Sequence, residues 1–325
     1  ADALVRDVAR LDAGLLEEHL GGQVEDGAVA ARGEVHLVAT GLQQRDHLLP
    51  QAAAIWSASM AEIHHYPACA FVRFFENHGL LKLKGRPECR TVEGGSRAYV
   101  EKLTESYAER VRLGAGAVSV LREAGGVWVR DARGCVERFD DVVIAAHANE
   151  ALAMLEDASA EERALLGASR YTKNRAVLHT DRTLMPRREP LWASWNYVGD
   201  NPDGGCVVSY WMNKLQRLEC RENIFLTLNP RVMPRPESVL YETEYDHPMF
   251  DAAAIRAQEK LWSLQGVRKT WFCGAHFGAG FHEDGVQAGL AVAEQLGGVR
   301  RPWRVAEESG RIYLGPTPAR EAIAA

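Results

Sequence analysis

The segment Trp271-Phe272-Cys273-Gly274-Ala275-His276-Phe277-Gly278-Ala279-Gly280-Phe281-His282-Glu283-Asp284-Gly285-Val286 constrains the fold of this chain more than any other stretch. A short apolar strand, predicted over Thr270–Cys273, enters a run with four glycines. A helix predicted over Val286–Leu296 follows two carboxylates and stops at Gly297-Gly298. The first N–H groups of a helix are unpaired, and its positive dipole end favours a group that becomes anionic. The segment therefore reads either as a binding turn or as a helix start capped by Glu283 and Asp284.

A second apolar run, Val142-Val143-Ile144-Ala145-Ala146 after Asp140-Asp141, suits a strand covered on both faces, as in a parallel sheet. Pairing it with Thr270–Cys273 in one layer gives both runs the cover they need. Ala117–Glu123 and Val127–Asp131 flank the hairpin signal Gly125-Gly126, and Val136–Phe139 follows. The glycine turn Val92-Glu93-Gly94-Gly95-Ser96 precedes a helix that Ser96 can cap, with a predicted buried stripe of Tyr99 or Val100, Leu103, Tyr107 and Val111. One helix with an acidic middle is predicted over 151–169. Ala176–His179, Leu191–Tyr197, Cys206–Asn213, Ile224–Leu228 and Val239–Thr243 read as an antiparallel, half-exposed sheet, and Ile255–Leu264 as a helix. Residues 1–48 suggest a helix from Leu4 to Leu20, the pair Gly21-Gly22 and an apolar segment Val35–Val38. Residues 49–88 look helical, with Phe71, Phe74 and Phe75 at helical spacing before His78-Gly79. The expected class is α/β, with an α+β part built on the antiparallel sheet.

Composition excludes several functions. With 38 Lys+Arg against 44 Asp+Glu and no block of consecutive basic residues, the chain has no general attraction to nucleic acid. Its apolar runs are far shorter than the roughly 20 residues that cross a bilayer, so no integral membrane contact is expected. The six cysteines lie at least 14 positions apart, which excludes a CxxC pair and a paired zinc site, and scattered thiols point to a reducing, cytoplasmic setting. His64-His65 lacks a second cluster to complete a metal site, and there is no G-x-S-x-G, H-E-x-x-H or P-loop. Trp192, Trp195, Tyr197, Tyr210 and Trp211 suit either an apolar substrate pocket or the packing of a sheet on a helix. The chain has no initiator Met and no signal-peptide h-region, so it is expected to be processed or cut from something longer.

Gly274 at a strand end, with Gly280-Phe281-His282-Glu283-Asp284-Gly285-Val286 leading into Ala288-Gly289, resembles the C-terminal flavin-contacting motif of the FAD-dependent amine oxidase superfamily. Thr91-Val92-Glu93-Gly94-Gly95-Ser96-Arg97 resembles that superfamily's glycine turn and helix. Ala53-Ala54-Ile55-Trp56-Ser57 and Arg73-Phe74-Phe75-Glu76-Asn77-His78-Gly79 resemble a bacterial-type branch associated with methyl-branched or cyclopropane fatty-acid genes. The likeness covers roughly residues 48 to 305. It implies an FAD-binding fold of mixed sheet with a second, antiparallel-sheet and helical substrate part. In domain terms, 1–90 is a helical segment of the substrate part, 91–150 an FAD-binding part, 151–265 the substrate sheet, 266–300 the FAD-binding C-terminal strand and helix, and 301–325 a tail. It also implies Gly94, Gly95, Ser96, Val118, Ala145, Gly274, Ala275, Asp284, Gly285 and Val286 as cofactor contacts. Trp56, Tyr210 and Phe281 become candidate pocket residues, His282 a substrate-side catalytic candidate, and no metal is implied.

The departures are specific. The superfamily's opening strand, G-x-G-x-x-G turn and helix, which hold the FAD pyrophosphate, have no counterpart near residue 1. Gly114-Ala115-Gly116 and Gly278-Ala279-Gly280 each lack the third glycine, and Ala275 stands where the family often has a glutamate. The leading expectation is hydride transfer from an apolar small molecule, such as a fatty-acyl compound, or from an amine to flavin. The rival is a truncated binding or scaffold relative without activity. The isolated chain is expected to purify with little or no FAD, since each missing charge-assisted hydrogen bond is worth about 1.5–3 kcal/mol and about 1.4 kcal/mol is tenfold in affinity. Absorbance in the flavin bands measures this, and tight stoichiometric FAD would show that residues 1–48 supply a phosphate site.

Overall fold

The computed structural model describes residues 48–78, 90–200, 206–306 and 308–315; the expectations for 1–47 and for Gly79–Leu81, and the contacts of the Cys69, Arg73, Asn77 and Cys89 side chains, lie outside what it describes. Along the chain come α1 (Leu49–Trp56), α2 (Met60–Ile63), α3 (Ala68–Asn77), α4 (Ser96–Thr104), β1 (Ala117–Glu123), β2 (Gly126–Asp131), β3 (Val136–Phe139) and β4 (Val142–Ile144). Then follow α5 (Ala148–Met154), α6 (Ala160–Leu166), β5 (Arg170–His179), β6 (Trp195–Asp200), β7 (Cys206–Trp211), α7 (Met212–Gln216), β8 (Phe225–Leu228) and β9 (Val239–Met249). The last are α8 (Ala252–Leu261), β10 (Thr270–Phe272) and α9 (His282–Gln295). Two compact units result: the described residues up to Lys102 with Thr172–His247, and Leu103–Tyr171 with Pro248 onward.

The first unit is built on a five-stranded sheet of order β6-β7-β8-β5-β9, antiparallel at β6–β7, β7–β8 and β8–β5. Its interior carries a polar row. His179 Nε2 meets Thr227 Oγ1 at 2.8 Å, Thr227 meets Ser209 Oγ at 2.8 Å, and Asn229 donates to Asn174 Oδ1 at 2.6 Å. Buried polar groups that find one another fix which residues face each other across strands. Met185, Trp192 and Phe225 form an apolar cluster with Trp211 beside them, the Trp192 ring standing edge-on to both Trp211 and Phe225. Trp192 is therefore core with Trp211 half-buried against it, while Trp195 and Tyr197 are exposed.

In the second unit β1-β2-β3 form an antiparallel sheet, and β10 pairs with β4 in parallel, Thr270 to Val142 and Phe272 to Ile144. The two apolar runs are thus neighbours in one layer. Their cover differs from the expectation: Ile144 is buried, but Val143 and Ala145 are exposed, so one face of β4 is open. Around them a core of Val120, Val127, Leu155, Leu166, Leu261, Trp262, Trp271, Phe272, Phe277 and Val292 closes the unit. Other expectations need correction. The helix predicted over 151–169 is two helices, because Ser159 caps α6, its Oγ accepting from Glu162 N at 3.1 Å, and Asp157 leaves the helix to bind Arg122. The stripe Tyr99, Val100, Leu103, Tyr107 and Val111 is exposed rather than buried. His64 and His65 lie exposed in the turn after α2, not on a helix, and no group of three or more metal-binding side chains forms among the described residues.

One buried cation ties this unit together. The Arg122 guanidinium on β1 donates to Asp157 at 2.6 Å and to both Glu162 oxygens at 2.6 and 2.9 Å, and Arg268 also reaches Asp157. Burial alone would raise Glu162, but hydrogen bonds from Arg122 and Ser159 outweigh it and hold the carboxyl below its ordinary range. A depressed carboxyl contributes stability above its unfolded pKa and loses it as pH falls through the folded one. Replacing Arg122 with Ala strands Glu162, which is expected to destabilise the fold by about 3–5 kcal/mol at neutral pH. The loss should shrink as the pH drops below 4.5, the unperturbed carboxyl value. Urea midpoints across pH measure it, and a pH-independent difference would contradict the ion-pair account.

Candidate functional site

The C-terminal ends of β4 and β10, where open α/β sheets offer a crevice for ligands, carry the candidate site. Three fully buried residues make β10, and Cys273 N continues the pairing to Ile144 O at 3.1 Å. The opposite edge of β10 is closed by the buried Gln265 amide, which donates to Phe272 O at 2.7 Å and accepts from Phe272 N at 2.8 Å. Burial pushes the Cys273 thiol up, so it stays protonated.

Gly274 then takes φ +149° and ψ 173°, a region open to glycine. A Cβ there would stand 2.9 Å from His276 Nδ1 and 3.4 Å from Ala146 O. The room that this glycine leaves is therefore filled by the chain's own imidazole. Gln258 holds the turn from α8, donating from Nε2 to His276 O at 3.1 Å and Gly278 O at 2.6 Å.

The helix after the turn begins at His282, four residues before the predicted start, so Gly285 lies inside its first turn. Asp284 causes the shift. Its carboxylate, with no solvent exposure, accepts from Phe281 N at 2.8 Å and from Arg311 Nε at 2.6 Å. Asp284 N and Gly285 N both reach Phe281 O, which leaves the His282 and Glu283 N–H groups without a partner among the described residues. Over Gly285 an added Cβ would meet Ala275 N at 3.7 Å and Gly274 C at 4.0 Å, ordinary contact distances, so the start of α9 packs close on the turn.

Gly274, Ala275 and Gly285 are thus brought together beside Ala145 at the end of β4. Asp284 turns inward to its cap and Arg311, Val286 and His282 are exposed, and Phe281 is half-buried. Val118 is exposed on β1 of the same unit. Gly94, Gly95, Ser96, Trp56 and Tyr210 belong to the other unit. There Gly94 and Gly95 both take φ +78°, and Trp56 is buried with Tyr66 and Phe74 at 5.3 and 5.0 Å. Burial pushes the Tyr210 hydroxyl up to about 12.

Sequence reading missed two histidines here. His276 is 5% exposed with Nε2 unpartnered, and burial, then the nearby His147, push it down to about 4. His147, in the turn after β4, stacks on Tyr171 at 4.6 Å, and its Nδ1 lies 4.0 Å from Glu150 Oε2. Both follow a glycine or alanine at the end of an apolar run, which is the signal that could have found them.

Comparison with known proteins gives a family and a fold. Residues 44–297 match the family model described as flavin containing amine oxidoreductase. The chain is similar to a putrescine oxidase with redesigned cofactor binding, at 13% identity and a TM-score of 0.53, covering 91% of this chain and 76% of that one. It is similar also to cyclohexylamine oxidase from Brevibacterium oxydans, at 14% identity and a TM-score of 0.51, covering 80% of this chain and 66% of that one. At these identities the likeness is one of fold. A fatty acid isomerase from P. acnes matches at 15% identity and a TM-score of 0.48 over 71% of this chain, and the chain spans 58% of its length. Compared with curated proteins, the sequence matches none.

Two outcomes follow from the geometry. Replacing Asp284 with Ala removes the acceptor that Arg311 Nε and Phe281 N share and is expected to destabilise the protein by about 3–5 kcal/mol, read as a lower urea midpoint. His276 has a depressed folded pKa, so its contribution is complete above 6.5 and is lost as pH falls toward about 4. A His276→Gln protein should therefore show a shallower fall of stability across that interval.

Proposed function

We propose, from the premise that the chain belongs to the flavin containing amine oxidoreductase family, that it is the catalytic fold of an FAD-dependent oxidoreductase acting on an apolar or amine small molecule. The observation that carries the reading is the close backbone approach at Gly285, where the start of α9 packs on Gly274 and Ala275, beside two unpartnered helix N–H groups at the C-terminal ends of a parallel strand pair. These residues fit the flavin ring end of FAD. Ala145, Gly274, Ala275, Gly285 and Val286 would hold it in this unit, with Val118 as a further contact, and Gly94, Gly95 and Ser96 are the candidate cofactor residues of the other unit. Bound FAD would supply the hydride acceptor.

The chain's own groups set the field around it. The His282 and Glu283 N–H groups and the positive end of α9 favour negative charge next to Gly285. Asp284 does not oppose them, because Arg311 compensates its charge. With its thiol held protonated by burial, Cys273 is a poor nucleophile, so the cofactor would be bound without a covalent link to it. Phe281 is the candidate apolar substrate residue of this unit, and Trp56 and Tyr210, the latter kept protonated by burial, are the candidates of the other. His282, exposed at the first position of α9, is the substrate-side candidate for proton handling. A cytoplasmic location belongs to the same reading. Cys135, Cys206, Cys220 and Cys273 are free, and no described helix is long and apolar enough to cross a membrane.

The test is anaerobic reduction of protein reconstituted with added FAD, using panels of amines and fatty-acyl compounds. Bleaching of the flavin bands by at least one class is expected. No bleaching by any compound would favour the binding or scaffold alternative. Gly285→Ala should fold normally, since its Cβ meets only ordinary contacts, whereas Gly285→Val should weaken FAD binding at least about tenfold. A Gly285→Val protein with full affinity would remove the close approach. An unchanged pH profile of reduction in His282→Gln would remove His282 from the chemistry.

A further inference from the structure

We propose that one end of the five-stranded sheet is a docking surface for an anionic lipid membrane, on which the protein rests without crossing it. The inference stands apart from the flavin reading. Strand pairing sets the location. His179 and Trp211 both lie opposite Phe225, and Trp195 lies opposite Tyr210, so the connections 180–194 and 212–224 leave the sheet at the same end. Lys214 Nζ donates to Trp192 O at 3.4 Å, which puts the two connections side by side. Both are braced internally. Trp192 Nε1 donates to Pro186 O at 2.7 Å, while Asn213 accepts from Ile224 N at 2.8 Å and donates to Glu222 O at 2.9 Å.

These braced connections present apolar and basic groups together. Leu191, Trp195, Leu215 and Leu218 are exposed, Leu191 to 66%. Among them stand the exposed cations Arg182, Arg187, Arg188, Lys214, Arg217 and Arg221, against the exposed carboxylates of Glu189, Glu219 and Glu222. Asp181 is buried and held by Arg235. Arg182 pairs with Glu189, but Arg187, Arg188, Arg217 and Arg221 make no ion pair among the described residues. The whole chain has a formal net charge of -6, so this end opposes the general sign. Arg182 and Lys214 also lie over indole rings, 5.1 Å from Trp192 and 5.9 Å from Trp211, so the two kinds of group are interleaved. An anionic bilayer meets both, its phosphates taking the guanidinium groups and the layer beneath taking the Leu and Trp side chains. A nucleic acid would use the cations and leave the leucines in water. A second copy of the chain would set the same basic patch against itself.

Co-sedimentation of the full chain with phosphatidylcholine vesicles, with and without phosphatidylglycerol, tests this. Binding is expected only with phosphatidylglycerol present, and it should weaken as salt rises. Arg187→Glu with Arg188→Glu, and separately Leu191→Ser with Leu215→Ser, are each expected to lower it at least about tenfold. Arg256→Glu with Lys260→Glu, exposed on α8, makes the same change of net charge as the arginine pair and should keep most of the binding. No binding to phosphatidylglycerol vesicles, an equal loss in the α8 variant, or displacement by inorganic phosphate at matched ionic strength overturns the proposal. A loss in the arginine variant with none in the leucine variant overturns the lipid surface in favour of a phosphate or nucleic-acid contact. A dimer seen without vesicles and abolished by the leucine variant overturns it in favour of a contact between copies. If a variant does not fold, deuterium exchange of the unmodified protein on the vesicles decides: protection of 180–194 and 212–224 supports the surface, and protection confined to other segments overturns it.

Discussion

A carboxylate removed from water must be compensated, and the one on Asp284 is compensated by two partners from different directions, the guanidinium of Arg311 and the backbone N–H of Phe281. These two bonds fix where α9 begins and draw the segment around Arg311 against the helix. They also bring the carboxylate so near Gly278 that a Cβ there would stand 2.7 Å from it. The turn is thereby clamped between Gln258 on one side and Asp284 on the other. The close approach at Gly285, the free N–H groups of His282 and Glu283 and the tucked ring of His276 all lie on this clamped backbone.

Both units hold a buried carboxylate with a guanidinium, Asp181 with Arg235 in the first, and they differ in their remaining buried polar groups. In the five-stranded sheet, neutral hydroxyls, amides and an imidazole satisfy one another, at no charge to desolvate. The other unit uses full charges, Arg122 with Asp157 and Glu162, and Arg311 with Asp284, each joining segments far apart in sequence. Charged joints break more sharply than neutral ones when a partner is lost, and that places the sensitive points of the second unit beside α6 and α9.

Most strands were legible because apolar runs bounded by glycine or aspartate leave few alternatives: β1 and β3 match their predicted limits, and the β4–β10 pairing follows from two runs that each need cover. Helix ends were harder to read. Glu283 and Asp284 looked like residues ahead of a helix, but a carboxylate can cap backward from the third position, which moves the start to His282. The break between α5 and α6 carried a readable sign, Ser159 followed by Glu162, that the acidic composition of the stretch obscured. The stripe from Tyr99 to Val111 shows a different limit, since periodicity reports an apolar face but not whether anything lies on it. His276 left only its place after Gly274-Ala275 at the end of an apolar run, because a single ring folded over a glycine has no period.

The parallel pair of β4 and β10 has a consequence for how the molecule assembles. The two strands are separated in sequence by α5, α6, the whole five-stranded sheet and α8, and they share three residue pairs. So short a ladder cannot repay the entropy of closing so long a loop unless the intervening chain is already compact. The non-local crevice of the second unit is therefore completed only after the sheet of the first has formed, and synthesis from the N-terminus delivers the elements in that order.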